Sequence, residues 1–258
     1  MDQENFQFLT DNVFPKLGFR EEAIYNALKA KMETGQEQIS FAVKNQNKSE
    51  FEFKLDLKDD GRYYLNAVRA TVPQKDGEAV TQDFRLFFQR GYNEVEMENL
   101  LKGRAVYTTV RKDGETIGFW NKLDLSRTNS SGNHPERREY DNKSTFNLAK
   151  ELSKLFPGAN LTHDDKESMI RNLKQGNQVS TRILVKGVRE QVFIEADPHD
   201  GKMKVFNSKG EAILAKEEKT RMEVVEDKKQ KPLPAGTKEI LGMGEGGKNK
   251  NMGHGAKI

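Results

Sequence analysis

The sequence predicts an α+β protein of about three helix-plus-antiparallel-hairpin units, followed by a disordered C-terminal tail. Three observations predict this fold class. Short amphipathic segments each end at a glycine, runs of alternating apolar and polar residues follow each glycine, and the C-terminal segment is charged and rich in glycine. We place the units at residues 1–92, 93–160 and 161–214, and the charged, then Gly/Lys-rich tail at 215–258.

Each unit begins with a predicted helix that stops at a glycine. An apolar residue stands three positions earlier in Met32–Gly35, Leu100–Gly103 and Leu173–Gly176. Glycine suits this position because the residue after a helix often adopts a left-handed conformation that is costly for other residues. The glycines lie 68 and 73 residues apart. This spacing favours duplication of one unit, and chance repetition of a common α+β motif is an equally good explanation.

Period-two alternation after each glycine predicts strands that bury one face. Gly-containing turns at Asp59–Gly61, Lys112–Gly114 and Lys186–Gly187 separate them into hairpins. A further strand is predicted from Phe84 to Phe88 and a further helix from Ser144 to Phe156. The apolar faces of these elements predict the following core residues: Ile24, Leu28, Ile39, Phe41, Phe53, Leu55, Leu100, Val106, Leu148, Leu152, Ile170, Leu173, Ile183 and Phe193.

Composition excludes several classes of function. The chain contains no cysteine, so it has no disulfide, thiolate metal site or cysteine nucleophile. No apolar run approaches the ~18 residues of a membrane span, and the N-terminus lacks the pattern of a signal peptide, so we expect a cytoplasmic protein without a membrane partner. The net charge is +3, and residues 215–258 carry ten Lys and Arg against seven Asp and Glu. The predicted folded part is therefore neutral, unlike a dedicated duplex-DNA binder.

No motif in the sequence supports an enzyme. Gly242–Lys248 fits two phosphate-binding glycine patterns, but it lacks a preceding strand, a following helix and a magnesium-binding hydroxyl, so we interpret it as a composition bias. The histidines, of which His163 and His199 lie in a predicted cap and turn, are not spaced as metal ligands. We therefore predict no cofactor, metal site, catalytic residue or small-molecule substrate. An enzyme whose groups meet only in space stays a second alternative.

Adjacent aromatic pairs are the feature that indicates a binding surface. Tyr63–Tyr64, Phe87–Phe88 and Phe119–Trp120 lie in predicted strands, where neighbouring side chains point to opposite faces. One ring of each pair needs a second layer, a partner or a nucleic-acid base, and we favour a covering helix or sheet. The candidate contact residues, aromatic and basic together, are Tyr64, Phe88, Trp120, Arg62, Arg85 and Lys122.

Two segments carry a resemblance to a known family. Residues 97–107, which read MENLLKGRAVY, and residues 169–195, which include NLKQGN and continue to FIEADP, resemble a bacterial domain of unknown function found in conjugative and other mobile elements of gut anaerobes. The likeness covers about residues 10–214. It implies a cytoplasmic accessory protein of a mobile element, and it transfers no site residue because the family has no established activity. One departure is the Ser-, Asn- and Gly-rich stretch 127–133, where longer aromatic segments are expected.

These observations lead to three functional hypotheses. The first is a non-catalytic accessory or scaffold protein of a mobile element, acting through a protein partner or through self-association. The second is a weak, nonspecific single-stranded nucleic-acid binder that uses sheet aromatics and the basic tail. The third is an enzyme with an unrecognised site.

Overall fold

The computed structural model describes residues 1–75, 77–141, 143–155, 162–185, 188–213 and 239–241. Its helices are α1 (Gln3–Phe8), α2 (Glu22–Met32), α3 (Glu94–Leu101), α4 (Leu148–Leu155) and α5 (His163–Lys174). A π-turn at Leu9–Val13 and 3-10 turns at Phe14–Leu17 and Pro198–Asp200 complete the helical structure of these residues. The strands are β1 (Gln38–Lys44), β2 (Glu50–Leu57), β3 (Tyr63–Val72), β4 (Val80–Arg85), β5 (Val106–Lys112), β6 (Glu115–Leu123), β7 (Glu136–Tyr140), β8 (Val179–Val185), β9 (Val188–Asp197), β10 (Lys202–Asn207) and β11 (Glu239–Leu241).

Within the described residues all strand pairs are antiparallel and form three sheets, which confirms the α+β prediction. The first sheet has the order β11-β1-β2-β3-β4, the second β5-β6-β7 and the third β8-β9-β10. The strand β11 lies in the segment for which we predicted disorder, so that prediction is corrected at Glu239–Leu241; the rest of the tail, including the glycine motif, lies outside the described residues. None of the helices among the described residues is long and apolar enough to cross a membrane.

The first sheet buries one face under the N-terminal helices. The buried side chains of β2 alternate with half-buried ones, as period two requires. At the centre, the ring centroid of Phe53 lies 5.0 Å from that of Phe14, 4.7 Å from that of Phe19 and 5.1 Å from that of Phe41. The pairs of Phe53 with Phe14 and Phe19 are edge-to-face, a geometry that stabilises a core beyond the area it buries. The helix α3 belongs to the same hydrophobic cluster through Met97, Leu100 and Leu101.

The second sheet is covered on both faces. On β6, Leu123 packs into the first cluster, whereas Trp120 packs into a second cluster with α4, α5 and the third sheet. The loop between β6 and β7 also closes the edge of the first sheet. There the backbone N–H of Asp83 on β4 donates to Asn133 Oδ1 at 2.8 Å, and the backbone N–H of His134 donates to Gln82 Oε1 at 2.7 Å.

The structure corrects three details of the predictions. The strand β4 ends at Arg85, so Phe88 is not in a strand. The helix α4 begins at Leu148 rather than Ser144. On β9 the buried residues are Val192 and Ile194 while Phe193 lies half-buried on the opposite face, so the predicted face was wrong by one residue.

Most of the predicted core is confirmed. Ile170 is only half-buried, and the side chain of Ile183 and the predicted stop of α4 at Pro157–Gly158 lie outside the described residues. The other predicted core residues apart from Phe193 are buried: Ile24, Leu28, Ile39, Phe41, Phe53, Leu55, Leu100, Val106, Leu148, Leu152 and Leu173.

Candidate binding surface

Trp120, one of the predicted contact rings, is part of the core. Only 3% of the residue is exposed. Its ring lies 5.3 Å from Tyr107 and 5.7 Å from Phe146, both in edge-on geometry. The segment around α4 therefore covers this face of the second sheet, and Trp120 cannot stack on a base or reach a partner while the protein is folded.

Lys122 is occupied by an internal carboxylate. Its ammonium lies 3.4 Å from Oδ1 of Asp197, a buried residue whose carboxylate also contacts Lys204. Burial raises the pKa of Asp197, but the hydrogen bonds and positive charges of the two lysines outweigh burial and lower it. Lys122 thus joins the second sheet to the third, and its charge is neutralised within the protein.

Arg62 and Tyr64 lie in an acidic environment at one end of the first sheet. The guanidinium of Arg62 contacts Asp2 at 3.5 Å and Glu4 at 3.6 Å. The hydroxyl of Tyr64 donates to Asp60 Oδ2 at 2.7 Å. Phosphate groups would be repelled by these carboxylates, so the structure brings no basic platform together around Tyr64.

Phe88 and Arg85 belong to an exposed turn that follows β4. The backbone N–H groups of Phe87 and Arg90 each donate to the other residue's carbonyl at 3.0 Å. The two residues between them, Phe88 and Gln89, have φ of 50° and 57°. These values define a tight type I′ turn, which in most proteins contains Asn and Gly because positive φ is costly for other side chains. We call residues 85–91 the aromatic turn.

The turn exposes two phenylalanine rings to solvent. Phe88 is 99% exposed and Phe87 is 73% exposed. The residues on either side are anchored: Leu86 packs against the first cluster and its N–H donates to the carbonyl of Asn66 at 2.8 Å. After the turn, the ring of Tyr92 lies 5.7 Å from Phe84. The residues that flank the turn are therefore anchored to the core, while the two rings point away from it into solvent.

The aromatic turn carries positive charges and no negative charge. Arg85 and Arg90 are both exposed, and among the residues that the structure describes neither takes part in an ion pair. Residues 84–92 read FRLFFQRGY and contain no acid. The turn thus combines two exposed rings with two positive charges, in contrast with the acidic surroundings of Tyr64.

The sequence indicated this site only in part. The pair Phe87–Phe88 and the nearby arginines were visible as residue types, but alternation from Phe84 onward predicted a strand. Without Asn-Gly, Asp-Gly or a similar dipeptide at positions 88–89, the sequence has no signal for a type I′ turn.

Among the residues that the structure describes, no three His, Asp or Glu side chains are grouped so that they could hold a metal ion. A depression of about 380 Å³ on the first sheet is lined by Gln38, Ser40, Glu52, Lys54 and Asp56, with Ile39 and Leu55. The ammonium of Lys54 is paired with Asp83 at 3.1 Å.

The described residues thus form a three-sheet α+β protein that exposes an aromatic and basic turn. No family model, curated protein or solved structure matches the chain. The resemblance of residues 97–107 and 169–195 to a mobile-element family therefore stays a prediction.

Proposed function

We propose that this chain is a non-catalytic accessory or scaffold protein that acts through protein–protein contacts, with the aromatic turn as its principal contact. The observation that supports this proposal most is the exposure of Phe87 and Phe88 on a stiff turn. Burying one such ring in a partner is worth about 1.5–3 kcal/mol. Because the turn is already ordered, little additional entropy is lost on binding. Arginine beside aromatic anchors is also typical of interface hot spots.

The setting of this function is part of the same proposal. A mobile genetic element as host context rests on the resemblance of the two segments alone. A cytoplasmic location is proposed from the cysteine-free sequence. The partner is a different protein or a second copy of this chain.

A single-stranded nucleic-acid binder is the second candidate, because Arg85 and Arg90 flank two exposed rings. Rings and guanidinium groups in this combination stack on bases and contact phosphates. The other residues on which this hypothesis depended are not available: Trp120 is buried, Lys122 pairs with Asp197 and Arg62 pairs with acids. We therefore favour the protein partner.

Site-specific photocrosslinking tests the proposal. A photoreactive phenylalanine analogue replaces Phe88 in the full chain, and Lys48 serves as the control position because it is exposed and also has positive φ. We expect a discrete protein adduct at position 88, and at least a tenfold lower yield when Arg85→Glu and Arg90→Glu are added. An adduct of twice the chain's mass would identify self-association. Equal yields at positions 88 and 48 would contradict the proposal.

A titration with a fluorescent single-stranded oligonucleotide separates the two candidates. Phosphate contacts weaken steeply with salt, so binding through the turn would be strongest at low ionic strength. We expect no saturable binding at low salt. Saturable binding that Arg85→Glu and Arg90→Glu abolish would instead establish the nucleic-acid function.

A further inference from the structure

The strand β1 directs half of its backbone groups away from its neighbour β2. On either side of β1, the carbonyl of Glu37 accepts from the N–H of Leu57 at 2.7 Å, and the N–H of Asn45 donates to the carbonyl of Ser49 at 3.0 Å. Odd-numbered positions of β1 therefore pair with β2. Because both backbone groups of a residue point to one side and alternate residues point to opposite sides, the even-numbered residues of β1 point outward. We call this outward side of residues 38–44 the β1 edge.

The strand β11 pairs with only one part of the β1 edge. The register places residues 42–44 of β1 opposite residues 241–239. Among the residues that the structure describes, no strand reaches Gln38 or Ser40 from this side. Exposure follows the same division, since Gln38 and Ser40 are exposed whereas Ala42 and Lys44 are half-buried. Unpaired backbone groups along a strand are a template on which another strand can form.

The opposite edge of the same sheet is closed in another way. On β4, the backbone N–H of Asp83 donates to Oδ1 of Asn133 at 2.8 Å. A loop that caps an edge strand protects it from pairing with further strands. The β1 edge is instead covered by Glu239–Leu241, a strand of three residues from the far end of the sequence. Few backbone pairs hold such a strand, and each contributes little net free energy, so a longer strand can displace it.

The sequence after β11 is poorly suited to fill the rest of the β1 edge. In the same register, the residues opposite Phe41 and Ile39 would be Gly242 and Gly244. Phe41 and Ile39 are buried on the core face, and residues directly opposite each other in a sheet share a face. Glycine supplies no side chain there and is disfavoured in strands. A segment with aliphatic residues at these two positions would gain contacts that this chain's own sequence does not provide.

We propose that the β1 edge is a strand-addition site for an extended segment of a partner protein, and that β11 fills part of it as an internal competitor. The partner segment carries aliphatic side chains at three alternate positions, in register with Ile39, Phe41 and Val43. Its backbone hydrogen bonds give affinity, and its alternate side chains give specificity. The aromatic turn follows β4 at the other edge of the first sheet, so this contact is separate from it.

Fluorescence anisotropy with a synthetic peptide tests the proposal on the full chain. The fluorescein-labelled peptide has the sequence of residues 237–245 with Gly242→Val and Gly244→Val, which places an aliphatic residue opposite each of the three buried residues of β1. We expect saturable binding to the full chain, and at least about tenfold tighter binding to its Leu241→Pro variant. Proline removes the N–H that Leu241 directs at Ala42, so β11 is released and the edge is open in more molecules.

Two N-methylated forms of the peptide test the backbone pairing itself. In the observed register the N–H of Leu241 points toward β1, whereas the N–H of Ile240 points away from it. Methylation at the Leu241 position should weaken binding to the full chain at least about tenfold. Methylation at the Ile240 position is the matched control, and it should change the affinity less than about twofold. Equal affinities for the two methylated peptides would overturn strand addition.

The remaining outcomes also decide the proposal. Circular dichroism should show an unchanged fold in Leu241→Pro, and a lack of saturable peptide binding to this folded variant would contradict the site. Equal affinities of the original chain and the variant would contradict the role of β11 as a competitor. Phe88→Ala should leave peptide binding unchanged. A loss of binding in Phe88→Ala would assign the peptide to the aromatic turn and remove the case for the β1 edge.

Discussion

At the scale of single residues, the aromatic turn exposes its phenylalanine rings to solvent and holds its backbone in an unfavourable conformation. Phe88 and Gln89 hold positive φ without being glycine or asparagine. A side-chain-bearing residue in the left-handed region costs roughly 1–2 kcal/mol. Packing of the Phe88 side chain does not offset this cost, because the residue is 99% exposed. Strain at an exposed ring supports the proposal that Phe88 serves contact with a partner rather than stability.

Exchanging the turn for a standard one should therefore separate stability from binding. We expect Phe88→Asn with Gln89→Gly to raise the free energy of unfolding by about 1 kcal/mol, since Asn-Gly is the preferred type I′ pair. Urea denaturation measures this gain. The same variant should lose the protein adduct formed by a photoreactive group at position 87. Lys48→Gly is the control, as it relieves positive φ elsewhere and should leave the adduct intact. A loss of stability in the turn variant would show that Phe88 supports folding.

At the scale of elements, the helix ends of the second and third units lie against each other. The side-chain amide of Asn99 on α3 donates to the carbonyl of Gln175 and to Oδ1 of Asn177, both at 2.8 Å. A Cβ on Gly176 would lie 2.8 Å from the Cβ of Asn99 and 3.0 Å from the carbonyl oxygen of Ala105. The glycine thus serves both the left-handed helix end and the close approach of α3.

Because Gly176 meets both requirements, we expect alanine there to be more destabilising than alanine at a glycine that only ends a helix. Gly176→Ala should lower the free energy of unfolding by about 2–4 kcal/mol, from positive φ together with crowding. Gly35→Ala is the matched control, because Gly35 also ends a helix with φ of 67° but a Cβ there would meet nothing within 4 Å. It should cost about 1–2 kcal/mol. Equal losses in urea denaturation would contradict the role of the close approach.

Sequence reasoning succeeded where one local signal decides an element. Glycine stops and period-two alternation predicted α2, α3, α5 and most strands, because helix ends and half-buried strands depend on nearby residues. It failed where a distant partner decides: Val192 rather than Phe193 faces the core because α5 lies on that side of β9. The covering layer that the sequence favoured for the paired rings is present over Trp120, where α4 and Phe146 bury it. The aromatic turn was missed as a turn because its residues are atypical for one.

At the scale of the whole molecule, a polar cluster joins the second and third sheets. Its ionisable members include Lys122, Arg137, Glu139, Glu195, Asp197, His199, Asp200 and Lys204. Burial lowers the pKa of His199, whose Nε2 lies 3.2 Å from the carbonyl oxygen of Arg137. The pKa of Asp197 is also lowered, as the two lysines outweigh its burial.

Both shifts make the junction sensitive to acid. Below pH ~6.5 the unfolded chain takes up a proton at His199 more readily than the folded protein does, so stability falls as the pH drops. The lowered pKa of Asp197 adds a second loss below pH ~4, where the unfolded carboxylate is protonated first. We expect the urea midpoint to fall between pH 7.5 and pH 5.5, and His199→Gln to reduce that fall. An unchanged pH dependence in His199→Gln would assign the effect to other groups.

The position of α3 has a consequence for how the molecule comes apart. This helix packs against β3 and β4 of the first sheet and against β5 and β6 of the second, and α5 packs in the same way against β5, β8 and β9. Each of these helices thus packs against two neighbouring sheets. Displacing α3 would expose the apolar faces of both sheets to water. We therefore expect unfolding of the first sheet to extend to the second sheet rather than to stop between them.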